Sequence, residues 1–103
     1  MRRINPTSWN AAFGYDQAQL RPTPAQVLTL AGQGPVDEHG ALVHEDDVTA
    51  QLALTMANVE AVLARGGMDL GDVLKLTIYA VDVDAVLAGY GAITERLAMF
   101  DAT

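Results

Sequence analysis

Five apolar residues, Val48, Leu52, Met56, Val59 and Leu63, recur at spacings of four, four, three and four, the period that puts them on one face of an α-helix. Asp46 or Asp47 can cap the start of this helix, and Arg65 with Gly66-Gly67 marks its end. The next segment changes period. From Leu70 to Val83 the chain alternates, with Leu74, Leu76, Ile78 and Ala80 on one side and Lys75, Thr77, Tyr79 and Val81 on the other, as in a strand with one buried face. Beyond Asp84, a candidate N-cap, Val86, Tyr90, Ile93, Leu97 and Phe100 return to helical spacing. A helix flanked by strands of one sheet implies a right-handed parallel crossover. Both apolar helix faces must then cover the same side of that sheet.

The first third of the chain reads as antiparallel β. Residues 5–14 are turn-prone coil, and Gln17–Leu20 is a short strand stopped by Arg21-Pro22-Thr23-Pro24. Val27–Ala31 is a second strand, bent by Gly32-Gln33-Gly34-Pro35. Asp37-Glu38-His39-Gly40 is a tight turn that leads into the apolar run Ala41–Val43. The predicted fold class is α+β: a mixed sheet in the order β-β-β-α-β-α, with two helices on one face, within a single domain spanning residues 1–103.

A chain of 103 residues has a small interior relative to its surface, so association with further copies is expected to help stabilise it. It has no cysteine, which excludes disulfides and thiolate chemistry. Hydrophobic residues make up 50% against 18% charged, too apolar for disorder. No apolar run approaches the ~20 residues of a membrane span. The opening MRRINPTSWN has no apolar stretch behind its arginines, unlike a secretory signal, so a cytoplasmic location is expected. With 13 acidic and 6 basic residues the net charge is −7, and from Asp37 to Asp84 the only cations are Arg65 and Lys75. Phosphate recognition needs clustered cations. Neither nucleic acid nor an anionic membrane is an expected partner.

Few residues offer chemistry by type and spacing. His39 and His44 stand near Glu38, Glu45, Asp46 and Asp47, but the six fall on one turn and one helix start, and a solvated acidic surface is expected there, with no metal. Ser8 is the only serine and has no recognisable catalytic partners. Gly32-Gln33-Gly34-Pro35 is no phosphate loop, because Pro35 removes a backbone donor and no helix follows directly. Tyr90 belongs to an apolar stripe. Tyr15, beside Gly14 where coil meets strand, is the one phenol placed to face a cleft.

Several motifs occur together in order: Gly14-Tyr15-Asp16-Gln17-Ala18; Leu30-Ala31-Gly32-Gln33-Gly34-Pro35-Val36-Asp37 with Gly40; Gln51; Asn58-Val59-Glu60-Ala61-Val62-Leu63 with Gly66-Gly67; and Asp72-Val73-Leu74-Lys75-Leu76-Thr77-Ile78-Tyr79. In these the chain resembles the Rid family of reactive-intermediate deaminases, also called the YjgF family, over nearly its whole length. The resemblance implies a chorismate-mutase-like fold assembled as a homotrimer. It also implies cofactor-independent hydrolysis of reactive enamines and imines, such as 2-aminoacrylate, to 2-oxo acids and ammonia in clefts between subunits.

Carried over by position, Tyr15 matches the family's cleft tyrosine, which flanks the substrate and hydrogen-bonds the water. Gly32 matches the glycine whose backbone lines the pocket, while Ala31 stands where active deaminases usually have serine. Gly89 stands where many members place a substrate-facing asparagine. The departures at Ala31 and Gly89 make a non-catalytic member that binds a small metabolite in the same cleft the alternative. In the family a Pro-x-Arg segment after the second helix grips the substrate carboxylate, and a later strand supplies a glutamate. Neither is assigned within this chain, and none of Arg2, Arg3, Arg21, Arg65 and Arg96 replaces that arginine by position. The expectation is that the C-terminal strands carrying both lie beyond Thr103 in a longer protein, with a natural short member as the alternative.

Overall fold

A computed structural model describes residues 1–99. Its longest element is α1, Val48–Arg65, formed over the residues whose spacing predicts it. Asp47 caps it, its carboxylate accepting from the Ala50 N–H at 3.0 Å. At the other end the Met68 N–H returns to the Leu63 carbonyl (2.8 Å) and the Gly67 N–H to that of Ala64 (3.0 Å). This closure requires a left-handed residue, and Gly67 supplies it at φ +74°. Leu52, Met56, Val59 and Leu63 are the buried face of α1 and form the core with Leu70 and Ile93.

The second helical stripe divides into α2, Val83–Ala88, and α3, Gly91–Met99. Asp82, two residues before the expected cap Asp84, is the N-cap and accepts from the Ala85 N–H at 3.1 Å. Gly89 is the reason for the break. It is buried, and a Cβ there would stand 2.7 Å from Thr49 Oγ1 and 3.3 Å from the Thr49 Cα. The missing side chain lets the α2–α3 corner press onto the first turn of α1. Val86, Tyr90 and Leu97 are partly buried around Ile93 and pack against the core as the spacing predicts; Phe100 lies outside the described residues. Arg96 of α3 pairs with Glu60 of α1, which joins the two helices at the edge of their apolar contact.

The β structure is smaller than expected. Strand β1, Arg2–Ile4, pairs antiparallel with β2, Ala18–Leu20, in the register Arg2 to Leu20 and Ile4 to Ala18. The Gln17–Leu20 expectation therefore holds, while β1 falls in a stretch that the sequence left unassigned. The turn at Asp37–Gly40 also forms: Asp37 Oδ1 accepts from the backbone N–H of His39 (2.9 Å) and Ala41 (3.0 Å), and Val36 and Leu42 make a single antiparallel bridge.

Two expected strands are corrected. Val27–Ala31 carries no ladder. The segment from Leu70 begins with a 3-10 turn, Leu70–Asp72, closed by reciprocal bonds between Asp69 and Asp72, and then runs without strand pairing to Ala80. The parallel crossover and the order β-β-β-α-β-α are accordingly not formed among the described residues; the architecture is α+β with a two-stranded antiparallel sheet and three helices. The physical reason is that alternation specifies which side of a strand is apolar but not a partner for its backbone. Within one chain, Leu74, Leu76, Ile78, Tyr79 and Val81 stay exposed. The accessible surface is 7398 Å², roughly 1,800 Å² above the ~5,600 Å² of a closed monomer of this mass. Among the described residues no helix is long and apolar enough to cross a membrane.

Candidate active site

The segment at residues 5–17, which the sequence suggested as coil over 5–14 and which contains a 3-10 turn at Ala11–Phe13, is held by polar side chains. Asn10, 3% exposed, is the buried polar residue at its centre. Its amide donates to Asn5 Oδ1 at 2.8 Å and to the Tyr15 carbonyl, and its oxygen accepts from Gln17 Nε2 at 2.8 Å. Asn5 Oδ1 also accepts from the Gln17 N–H, and Asn5 Nδ2 donates to Asp16 Oδ1, both at 2.9 Å. Asp16 further accepts from Gln19 Nε2 at 2.9 Å and pairs with Arg3.

Burial pushes the Asp16 carboxyl up, but the hydrogen bonds from Asn5, Gln19 and Arg3, with the Arg3 charge, outweigh it and hold the group below its ordinary value. Tyr15 therefore sits between two fixed points, its own carbonyl on Asn10 and its neighbour's carboxylate on β1. The sequence hinted at this only through the density of Asn, Asp and Gln around a predicted coil.

Tyr15 is 38% exposed and meets Trp9 edge to face, with ring centroids 6.0 Å apart. It lines a cleft of about 710 Å³ between the Gly14–Pro24 segment and Val73–Leu76, with Tyr90 and Leu97 completing the lining. It also borders a second hollow of about 620 Å³ among Asn5, Thr7, Ser8 and Asn10. Tyr15 thus lies where the two hollows meet. Leu20, Leu74, Leu76 and Leu97 make the larger cleft apolar along much of its length, and Arg21 and Lys75 are its cations.

The other predicted site residues are placed elsewhere. Ala31 and Gly32 are exposed and line neither hollow. Their loop is tied to α1 by Asn58, whose amide donates to the carbonyls of Gly34 (2.9 Å) and Val36 (3.1 Å). Gly89 packs on Thr49 and Leu52, while the next residue, Tyr90, reaches the larger cleft. Thus a single chain brings Tyr15 to a cleft with Arg21 and Lys75, and does not bring Ala31, Gly32 or Gly89 into its lining. His39 is exposed and lies 3.4 Å from Glu38; among the described residues no three His, Asp or Glu side chains converge.

The chain is 38% identical over 80 residues to a 2-iminobutanoate/2-iminopropanoate deaminase from Salmonella typhimurium, covering 74% of this chain and 62% of that protein. It is 33% identical over 57 residues to a RutC family protein from Pyrococcus horikoshii, covering 55% of this chain and 45% of that one. A third relative, Protein DfrA from Myxococcus xanthus, is 35% identical over 69 residues, 67% of this chain and 52% of its own length. The matches thus span about half to three fifths of these relatives. No solved structure matches the chain. A family model described as Endoribonuclease L-PSP matches residues 7–101, and with the relatives it shows that the chain belongs to this family, the Rid/YjgF family that its motifs resemble.

Proposed function

We propose that this protein hydrolyses reactive enamines and imines of the 2-aminoacrylate type to 2-oxo acids and ammonia, without a cofactor, at a cleft completed between subunits of a homotrimer. The observation that carries this reading is Tyr15: the tyrosine matched by the family motif lines the larger cleft and is held there by hydrogen bonds on both sides. The 38% identity to an iminobutanoate/iminopropanoate deaminase supports it. So does the exposed surface around Leu74–Val81, which neighbouring copies would cover.

The chemistry asks little of the protein. An enamine first gains a proton at carbon and loses one from nitrogen to become the imine. Water then adds to the electrophilic imine carbon, the nitrogen is protonated, and the C–N bond breaks as the carbonyl forms and ammonia leaves. The Tyr15 hydroxyl is assigned to orienting the water, and Ala31 and Gly32 to the substrate side of the assembled cleft; Gly89, matched by position to the family's substrate-facing residue, is buried against Thr49 and Leu52 and takes no direct contact with substrate in this reading. The −7 charge argues against RNA as the substrate, whatever the family's description.

The second reading, a non-catalytic member that binds a small metabolite in the same cleft, is favoured by Ala31, which offers no hydroxyl, and by Gly89, whose close fit on Thr49 leaves no room for a polar side chain. One assay separates the two. An amino-acid oxidase generates an imino acid in situ, and ammonia release is followed with and without the protein. Acceleration by wild type, reduced on the order of tenfold or more in Tyr15→Phe, is the expected result; binding of the 2-oxo acid with no acceleration selects the second reading.

A further inference from the structure

The hydroxyl assigned to orienting the water belongs to a ring that is not held by its oxygen: Tyr15 Oη has no hydrogen-bond partner among the described residues. A tyrosine side chain turns among three staggered χ1 positions, so the direction of this one must come from the backbone beneath it and the rings beside it. One short stretch of chain supplies both.

Asn10 fixes the backbone. It is 3% exposed and donates to the Tyr15 carbonyl, while Asn5 Oδ1 and Gln17 Nε2 hold the rest of its amide, both at 2.8 Å. The rings are brought together by the 3-10 turn Ala11–Phe13. The Phe13 N–H donates to the Asn10 carbonyl at 3.0 Å, and Gly14 then turns the chain at φ +70°, a conformation glycine adopts without strain. Tyr15 is thereby returned to Trp9, with ring centroids 6.0 Å apart and 74° between the planes. Trp9 also meets Phe13, at 6.5 Å and 61°. Trp9 and Phe13 are each 59% exposed, so this cluster does not serve the interior. What edge-to-face pairs do favour is one mutual orientation of their rings.

We propose that Trp9 and Asn10 are the positioning residues of Tyr15: Asn10 fixes its backbone, Trp9 selects one direction of its ring, and together they keep the phenol on the cleft. The role of the phenol rests on the deaminase reading; the brace stands on hydrogen bonds and ring geometry.

The experiment is a double-mutant cycle on ammonia release from an imino acid generated in situ, with kcat and KM measured separately. Free choice among three χ1 positions leaves the productive one occupied about a third of the time, so Trp9→Leu should lower kcat about threefold with KM little changed. Asn10→Ala, which also frees the carbonyl, should lower kcat further. Neither loss should exceed that of Tyr15→Phe, since a positioning residue cannot lose more than the group it positions. Trp9→Phe keeps an aromatic partner and should retain most of the wild-type kcat. In a Tyr15→Phe background no hydroxyl is left to direct, so Trp9→Leu and Asn10→Ala should have no further effect on kcat. A general loss of stability would persist there. Losses that persist in full, or an unchanged kcat in Trp9→Leu, overturn the proposal, and Trp9→Leu, at an exposed position, decides it where Asn10→Ala fails to fold.

A second arm reads the brace without activity. The chain has one tryptophan, so nuclear Overhauser contacts from its indole to the Tyr15 ring are assigned without ambiguity. They are expected in wild type and lost in Asn10→Ala, while the amides of α1 stay protected from exchange. Their absence in wild type, or their survival at full strength in Asn10→Ala, overturns the proposal. Contacts that depend on Asn10 in a protein releasing no ammonia would retire the deaminase reading and leave the brace in place. Ammonia release with an additive cycle would do the reverse.

Discussion

Replacing Gly89 by alanine tests whether the corner between α2 and α3 is set by backbone approach. The added Cβ would lie 2.7 Å from Thr49 Oγ1, 3.3 Å from Leu52 Cδ1 and 3.3 Å from Thr49 Cα. A hydroxyl can turn aside, but the Cα of a residue in the first turn of α1 cannot, so the corner must move. Overpacking of this kind costs about 1–3 kcal/mol. Gly89 has φ −97° and ψ 8°, which alanine tolerates, so the loss of unfolded-state freedom returns about 0.4–1 kcal/mol.

The net expectation is a destabilisation of roughly 1 kcal/mol, a melting temperature lower by about 4–8 °C for a chain of this size. Thermal unfolding by circular dichroism, with urea titration alongside, reads it. Thr49→Ala removes the 2.7 Å contact, and in that background Gly89→Ala should cost less by about 0.5 kcal/mol or more, a coupling that the double-mutant cycle isolates from helix propensity. If Gly89→Ala is as stable as wild type, or shows no coupling to position 49, close approach is not the reason for glycine here.

Two further outcomes follow from the polar contacts. Asp16 is held below its ordinary value of 3.8, so the stability it contributes is fully present above pH ~4 and declines as pH falls through its lowered folded value. The melting temperatures of wild type and Asp16→Asn should therefore differ at pH 6 and converge toward pH 2.5, and a constant difference would contradict the assignment. Asn58→Ala removes both donors to the Gly34 and Val36 carbonyls and should cost about 1–2 kcal/mol. Hydrogen exchange should rise first at the amide of Val43, which bonds the Pro35 carbonyl, and unchanged exchange there would mean that Asn58 does not hold the loop.

What could be read from sequence was what depends on neighbours along the chain. The stripe from Val48 to Leu63 determined α1, and its ends were legible as Asp46 or Asp47 and as Gly66-Gly67, because helix bonds and caps are local; the structure selects Asp47 and Gly67. Tyr15 was singled out because glycine and a strand start stood on either side of it, and it is among the residues that line the larger cleft. Strands were less so: Leu74 to Ala80 alternates cleanly, but pairing depends on a distant backbone. That Arg21 and Lys75 line one cleft was hidden for the same reason, since they are far apart in sequence and neither belongs to a basic cluster. The network of Asn5, Asn10, Asp16 and Gln17 likewise becomes specific only once β1 and β2 pair.

Among the described residues the six buried apolar side chains all lie from Leu52 to Ile93, whereas the segment bearing Tyr15 is secured by amides and one carboxylate. The molecule thus has two fastenings of different chemistry. Apolar packing yields gradually, as neighbouring side chains adjust, but a directional network loses its hold once one member turns away. The Tyr15 wall is then the smaller cooperative unit and the first to open, with α1 and α3 still docked. On warming, this protein would lose the shape of its cleft before it loses its helices, so ligand binding, rather than helical content, marks the upper limit of its working range.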